Sequence, residues 1–302
     1  MTAISTKHIG YLRLIRPANI ITAIADILAG YAISMAFTFD IHNNLFSLQP
    51  LFWLILSTMG LYGGGVVFND IFDVETDKIE RPERPIPSGI SSIRGAVILG
   101  TLFFSIGVIA AYMVSITSFS IAILILVLAL FYNKFSKHHA FFGPLNMGAC
   151  RGFNLLLGMS VIPGCLSERW FIALIPVVYI SSITMISRGE VHGGNSLLMK
   201  RGGFLYLLVI IAIMLLGYLS GFSLLSTLPF LILFFLLIFP PLLTAIKQNK
   251  PGNIRYAVKA GIMSLVAMNA AIAAGFAGWQ YGLIVLCLLP LSVLIARRFS
   301  VT

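Results

Sequence analysis

Six of the ten acidic residues of this 302-residue chain fall between positions 70 and 83: Asp70, Asp73, Glu75, Asp77, Glu80 and Glu83. Against Lys78, Arg81 and Arg84 they give segment 69–89 a net charge of −3, while the rest of the chain nets +13. An acidic focus in so basic a protein calls for a cation. If the apolar run ahead of it continues as a helix, Asp70, Asp73 and Asp77 stand at i, i+3 and i+7, within about 60° of one another. Carboxylates stacked on one face repel unless a divalent cation joins them, and hard oxygen ligands with room for water and phosphate suit Mg2+. Asn69 adds a neutral polar contact near the same face. Pro82, Pro85 and Pro87 then stop the helix and hold Arg81 and Arg84 in a stiff loop, from which guanidinium groups grip phosphate oxygens bidentately. The competing reading is a solvated loop with surface ion pairs. It accounts for the charge, but not for the one-face spacing or the position at the end of an apolar run. Binding of a diphosphate through Mg2+ is the reading carried forward.

The elements that must position these groups are membrane spans. Hydrophobic residues make up 59% of the chain, charged ones 10%, and mean hydropathy is +0.98. That is too little charge to coat a water-soluble particle, where about a quarter of residues are charged. The net charge of +10 therefore reads as basic loops on one side of a bilayer, not as a nucleic-acid surface. Apolar runs near the roughly 20 residues a crossing needs lie at 20–38, 51–69, 95–113, 116–132, 143–162, 170–187, 204–222, 226–246, 257–276 and 279–296. Ten spans are favoured over nine, the last two being separated only around Gly278. With the N-terminus inside, 18 of the 20 Lys and Arg fall on inner segments, Arg169 lies outside and Arg151 within a span. The rule that Lys and Arg stay in then predicts an inner (plasma) membrane protein, multi-pass, with both termini cytoplasmic. Lys7, Arg13 and Arg16 precede a first run with no cleavage pattern, so that run reads as a retained span. The long inner loops follow the second and sixth spans, a four-helix interval that suggests a duplicated bundle with one functional loop per half. Cys150, Cys165 and Cys287 show no CxxC spacing and read as packing residues.

Asn69-Asp70-x-x-Asp73-x-x-x-Asp77, with Arg81, Arg84 and Pro85-Ile86-Pro87-Ser88-Gly89, resembles the first aspartate-rich motif of the UbiA-type intramembrane prenyltransferases. Leu14-Ile15-Arg16-Pro17-Ala18-Asn19, the Tyr132–Lys134–Lys137 loop and Gly148–Gly158 are similar to the family's first span, fourth loop and fifth helix. Within the family the chain is most similar to the UbiA-like EboC branch. The resemblance implies a single all-α transmembrane domain over 1–302, bundled around a central cavity. There a polyprenyl diphosphate gives its prenyl group to a small, aromatic acceptor. It implies Asp70, Asp73 and Asp77 as Mg2+ ligands, with Asn69, Arg81 and Lys137 on the diphosphate.

The family's second aspartate-rich motif is thinned here to Ser187-Arg188-Gly189-Glu190-Val191-His192-Gly193-Gly194-Asn195. Only Glu190 offers a charged oxygen, as a metal or diphosphate-site residue, with His192 and Asn195 as auxiliary candidates. Arg188 is the candidate to replace one metal's charge. A non-catalytic isoprenoid- or metabolite-handling transport component is the alternative that this thin motif leaves open. Asp26 and Arg151, ionisable groups inside spans, must face the bundle interior, either pairing with each other or meeting the acceptor. Asn19, Arg151 and Asn154 are candidate substrate contacts, and Asn269 an interhelical hydrogen bond.

Overall fold

The computed structural model describes residues 3–39, 48–137, 139–190, 193 and 195–296. Among them every regular element is helical: α1 (Ala3–Leu14), α2 (Pro17–Phe39), α3 (Leu48–Phe72), α4 (Val74–Glu80), α5 (Ile93–Tyr112), α6 (Ile116–Phe131), α7 (Phe142–Met159), α8 (Pro163–Arg169), α9 (Leu174–Ser187), α10 (Ser196–Leu215), α11 (Leu224–Gln248), α12 (Pro251–Ala277), α13 (Trp279–Leu286) and α14 (Leu288–Ala296). A single turn over Trp170–Ala173 joins α8 to α9, so the two cross as one span, and α13 with α14 form the last.

Nine helices among the described residues are long and apolar enough to cross a membrane. The expected fifth span, α7, is the tenth helix of the bundle but falls outside that set. It has only 18 residues and carries Asn146, Arg151 and Asn154. Lipid tails offer these groups no partner, and α7 avoids them by packing against α2, α6 and α9. The most polar of the long bundle helices therefore lines the interior, and its polarity is the first sign of where the site lies.

α2 and α12 form the buried axis of the molecule. α12 presents Ala267, Ala270, Ala271, Ala273 and Ala274, all fully buried, so neighbouring backbones approach closely. α2 meets α7 at Gly30 and Gly158. A Cβ on Gly158 would stand 2.6 Å from the Ile27 carbonyl oxygen and 3.0 Å from the Gly30 Cα, so only glycine permits this crossing. The contact sets the depth at which the polar residues of α2 and α7 face each other.

Candidate functional site

A cavity of about 540 Å3 opens among α2, α3, α6, α7, α9 and α12, at the end of the bundle that carries the acidic segment. Its mouth is built by helix ends. α3 stops at Phe72 and resumes as α4 one residue later, with Asp73 in between at φ −89°, ψ 0°. The backbone bonds Asp73 N to Asn69 O and Asp77 N to Asp73 O keep the helical path nearly continuous. α4 then ends at Glu80 with Arg81 as its C-cap, as the prolines that follow require. On the facing side α6 widens into a π-helical turn over Tyr132–Ser136, a rare geometry concentrated at functional sites. That turn brings Asn133 and Lys137 to the cavity wall.

Basic side chains meet the carboxylates at this mouth. Lys137 pairs with Asp73. Arg84 Nη1 donates to Asp77 Oδ2 at 2.6 Å and to Asp70 Oδ1 at 3.3 Å, and Arg16 Nη2 donates to Asp70 Oδ1 at 2.6 Å. One guanidinium therefore touches Asp70 and Asp77 together, as residues on one helix face permit. The spacing argument supplied the face but not this partner. Asp73, Asp77, Asn69, Arg81, Lys137 and Glu190 all line the cavity, as do Asn19, Arg151 and Asn154. Asp70 does not: it is buried behind the wall.

Two expected roles can be set against these positions. Among the described residues no three His, Cys, Asp or Glu side chains come close enough to hold a metal by themselves, so Asp70, Asp73, Asp77 and Glu190 form no single protein cage. Asn69 was expected on the diphosphate as a polar contact. Its amide nitrogen donates to Asn133 Oδ1 at 3.0 Å, and Asn133 donates on to the Gly65 carbonyl at 3.1 Å. That bond uses one of the two amide N–H groups of Asn69 and leaves the other, with the carbonyl oxygen, open to the cavity.

Arg188 does not reach the cavity. Ile180, Ile183, Thr184 and Ser187 form the lining stripe of α9, and the next residue turns about 100° away from it. Arg188 is exposed and donates to the His139 carbonyl at 2.6 Å. Glu190 faces inward and is buried. Burial pushes its carboxyl above the ordinary carboxylate range, while Arg81 and Arg255 pull the other way. His192 lies outside the described residues. Asn195 caps α10 by accepting from the Leu197 amide at 2.8 Å.

Below the mouth, Asn69 to Thr58 descends eleven residues of α3, about 16 Å of helix, past Tyr62 and Leu61 and across from Ile125, Ile183 and Ile262. The floor is a polar network centred on Asp26. Arg151 Nη1 donates to Asp26 Oδ2 at 2.8 Å and Nη2 to Thr22 at 2.7 Å, and the guanidinium lies 4.8 Å over the Tyr62 ring. Asn154 donates to Asp26 at 3.0 Å and accepts from Thr58 at 2.8 Å; Asn269 donates to Asp26 Oδ1 at 2.7 Å. Asp26 is wholly buried and pairs with Arg151, so of its two expected roles it takes the structural one. Asn269 makes the interhelical bond expected of it. Arg16, Tyr62 and Asn133 were absent from the expected site. Arg16 carried a faint signal, standing immediately before the Pro17 that starts α2.

The profile of the UbiA prenyltransferase family matches residues 27–254. The chain is 30% identical over 192 residues to a digeranylgeranylglyceryl phosphate synthase of Saccharolobus solfataricus, an alignment covering 62% of this chain and 64% of that relative. The chain therefore spans just under two thirds of that relative's length. In fold it is similar to the apo structure of a UbiA homolog from Aeropyrum pernix K1 (TM-score 0.67, 14% identity, covering 84% of this chain and 96% of that one). It is also similar to a UbiA homolog from Archaeoglobus fulgidus bound to GPP and Mg2+ (TM-score 0.52, 16% identity, 92% and 99% covered). These comparisons carry the family but not the EboC-like branch.

Proposed function

The chain belongs to the UbiA prenyltransferase family, and from that premise we propose that it is a membrane enzyme transferring a prenyl group from a polyprenyl diphosphate to a lipid acceptor, with Mg2+. The observation that carries the reading is one cavity with two chemistries. Its mouth alternates carboxylates with Arg16, Arg81, Arg84 and Lys137, and its wall below is largely aliphatic. A diphosphate head and an isoprenoid tail need that pairing.

The donor set fits Mg2+. Asp73, Asp77 and the Asn69 carbonyl offer hard oxygens on one wall and Glu190 on another. Cationic side chains already occupy the carboxylates, so a cation is tolerated there. Too few carboxylates converge for a protein-only cage, which matches a metal that completes its shell with phosphate oxygens and water. Asp73 and Asp77 would hold it, with Asn69 beside them and Glu190 across the mouth. Bound there, Mg2+ supplies charge neutralisation to the departing diphosphate. Arg81, Arg84 and Lys137 take up further negative charge as the allylic C–O bond ionises. The aliphatic wall keeps water from the allylic cation until an acceptor hydroxyl oxygen captures it, that hydroxyl's proton passing to the released diphosphate.

For the acceptor, we favour a glyceryl phosphate lipid over the aromatic ring first expected. The relative's name supports this, as do aliphatic side chains such as Leu61, Ile125 and Ile183 along the wall. The mouth faces the cytoplasm in this reading, supported by the Lys and Arg of the inner segments. The test offers the purified protein in lipid nanodiscs labelled polyprenyl diphosphates of several lengths, Mg2+, and either glyceryl phosphate lipids or aromatic acids. Pyrophosphate release coupled to a prenylated glyceryl phosphate is expected. Binding without release across both acceptor panels would sink the enzyme reading and favour a carrier.

A further inference from the structure

Asp70 stands apart from its neighbours in the acidic segment. Its side chain is 5% exposed and off the cavity wall, while Asn69, Asp73 and Asp77 are on it. A single oxygen, Oδ1, receives Arg16 at 2.6 Å and Arg84 at 3.3 Å. Those arginines come from unrelated places, the α1–α2 corner and the proline loop, and both line the cavity. Arg16 also holds φ at +45°, in the left-handed region where a Cβ is disfavoured. The following proline discourages any helical conformation there as well. Such a corner persists only when its surroundings fix it, and the pair with Asp70 does so.

We infer that Asp70 is a positioning residue, not a cation ligand: it clamps Arg16 and Arg84 so that their remaining N–H groups face the diphosphate. The inference rests on the diphosphate reading above and divides the acidic segment into two functions. Asp73 and Asp77 stand on the cavity wall, where a cation would meet them, although Asp77 also holds Arg84 Nη1 at 2.6 Å; Asp70 lies behind the wall, with arginine partners alone. Each arginine spends one nitrogen on Asp70 and keeps others for phosphate oxygens.

The test is a mutant cycle on the full chain in nanodiscs, read by binding of a non-hydrolysable farnesyl thiodiphosphate across a Mg2+ series. Asp70→Asn should weaken binding about tenfold at saturating Mg2+, the scale of misplaced charge-assisted bonds, and leave the Mg2+ midpoint unchanged. With Arg16→Gln and Arg84→Gln already in place, adding Asp70→Asn should change binding by less than about twofold, because coupled residues are non-additive. Asp73→Asn should instead shift the Mg2+ midpoint in every background. Should Asp70→Asn fail to fold, judged by its thermal midpoint, the Arg16→Gln, Arg84→Gln protein carries the test alone. It must show the tenfold loss at an unaltered Mg2+ midpoint, and wild-type affinity there overturns the inference. An Asp70→Asn effect that persists without the arginines, or that moves the Mg2+ midpoint, makes Asp70 a ligand and also overturns it. If the wild-type protein does not bind the analogue, the diphosphate reading falls and this inference with it.

Discussion

Replacing Arg151 by Met tests the polar floor on which the cavity stands. Asp26 has no exposed surface and accepts from three donors: Arg151 at 2.8 Å, Asn154 at 3.0 Å and Asn269 at 2.7 Å. Arg151→Met keeps the packing volume near its native value but leaves a buried carboxylate with two neutral amides. Removing one partner of such a pair costs about 3–5 kcal/mol. For a chain of this size that lowers the thermal midpoint by roughly 5–8 °C. Asp26→Asn added to Arg151→Met removes the orphan charge and should recover more than half of the loss, since a neutral pair in the same space carries no such penalty. Thermal unfolding of the three proteins in one lipid nanodisc reads both numbers. Turnover should stay low in the rescued double variant, because Arg151 also lines the cavity. A single-variant drop below about 3 °C would refute the burial argument by the same scaling. A double variant no more stable than the single would refute the pairing.

Gly158→Ala forces α2 and α7 apart, with the new Cβ 2.6 Å from the Ile27 carbonyl. Overpacking of this kind costs about 1–3 kcal/mol, and activity should fall with it; an unchanged midpoint would mean the crossing is loose. Glu190 follows the opposite sign to a salt-bridged acid. Its raised folded value means the native state holds the proton more tightly. Its stabilising contribution is full below the unfolded value of about 4.3 and is lost as pH rises through the folded value. Glu190→Gln should therefore gain thermal midpoint relative to wild type as pH rises from about 4 to 7, in substrate-free protein; a constant difference contradicts it. Cys150 lines the cavity while Cys287 is exposed elsewhere. A prenyl diphosphate with Mg2+ should slow maleimide labelling at Cys150 severalfold and leave Cys287 unaffected, as peptide mass spectrometry would show.

The sequence disclosed what depends on local pattern. Spans follow from apolar length, and the acidic face follows from helical spacing; Arg84 reaching both Asp70 and Asp77 is that spacing seen from outside. Asp26 and Arg151 were expected to face inward because hydrocarbon offers neither a partner. What stayed hidden depends on contacts far apart in the chain. Arg16 meets Asp70 across 54 residues, and no periodicity encodes that pairing. Arg188 sits within the thinned second motif by sequence, yet one residue's rotation past the α9 stripe takes it outside. For α7 the span and the inward-facing Arg151 were legible, but not which atoms of α2, Asp26 and Thr22, would receive that guanidinium.

The central claim is that the mouth between α3, α4 and α6 holds a prenyl diphosphate together with Mg2+. It is tested most directly by titrating farnesyl thiodiphosphate onto the protein in nanodiscs, with Mg2+ and then with excess chelator. Saturable binding that chelator reverses, and that Asp73→Asn with Asp77→Asn abolishes, is the expected result. Equal binding with and without Mg2+, unaltered in the double variant, would contradict it.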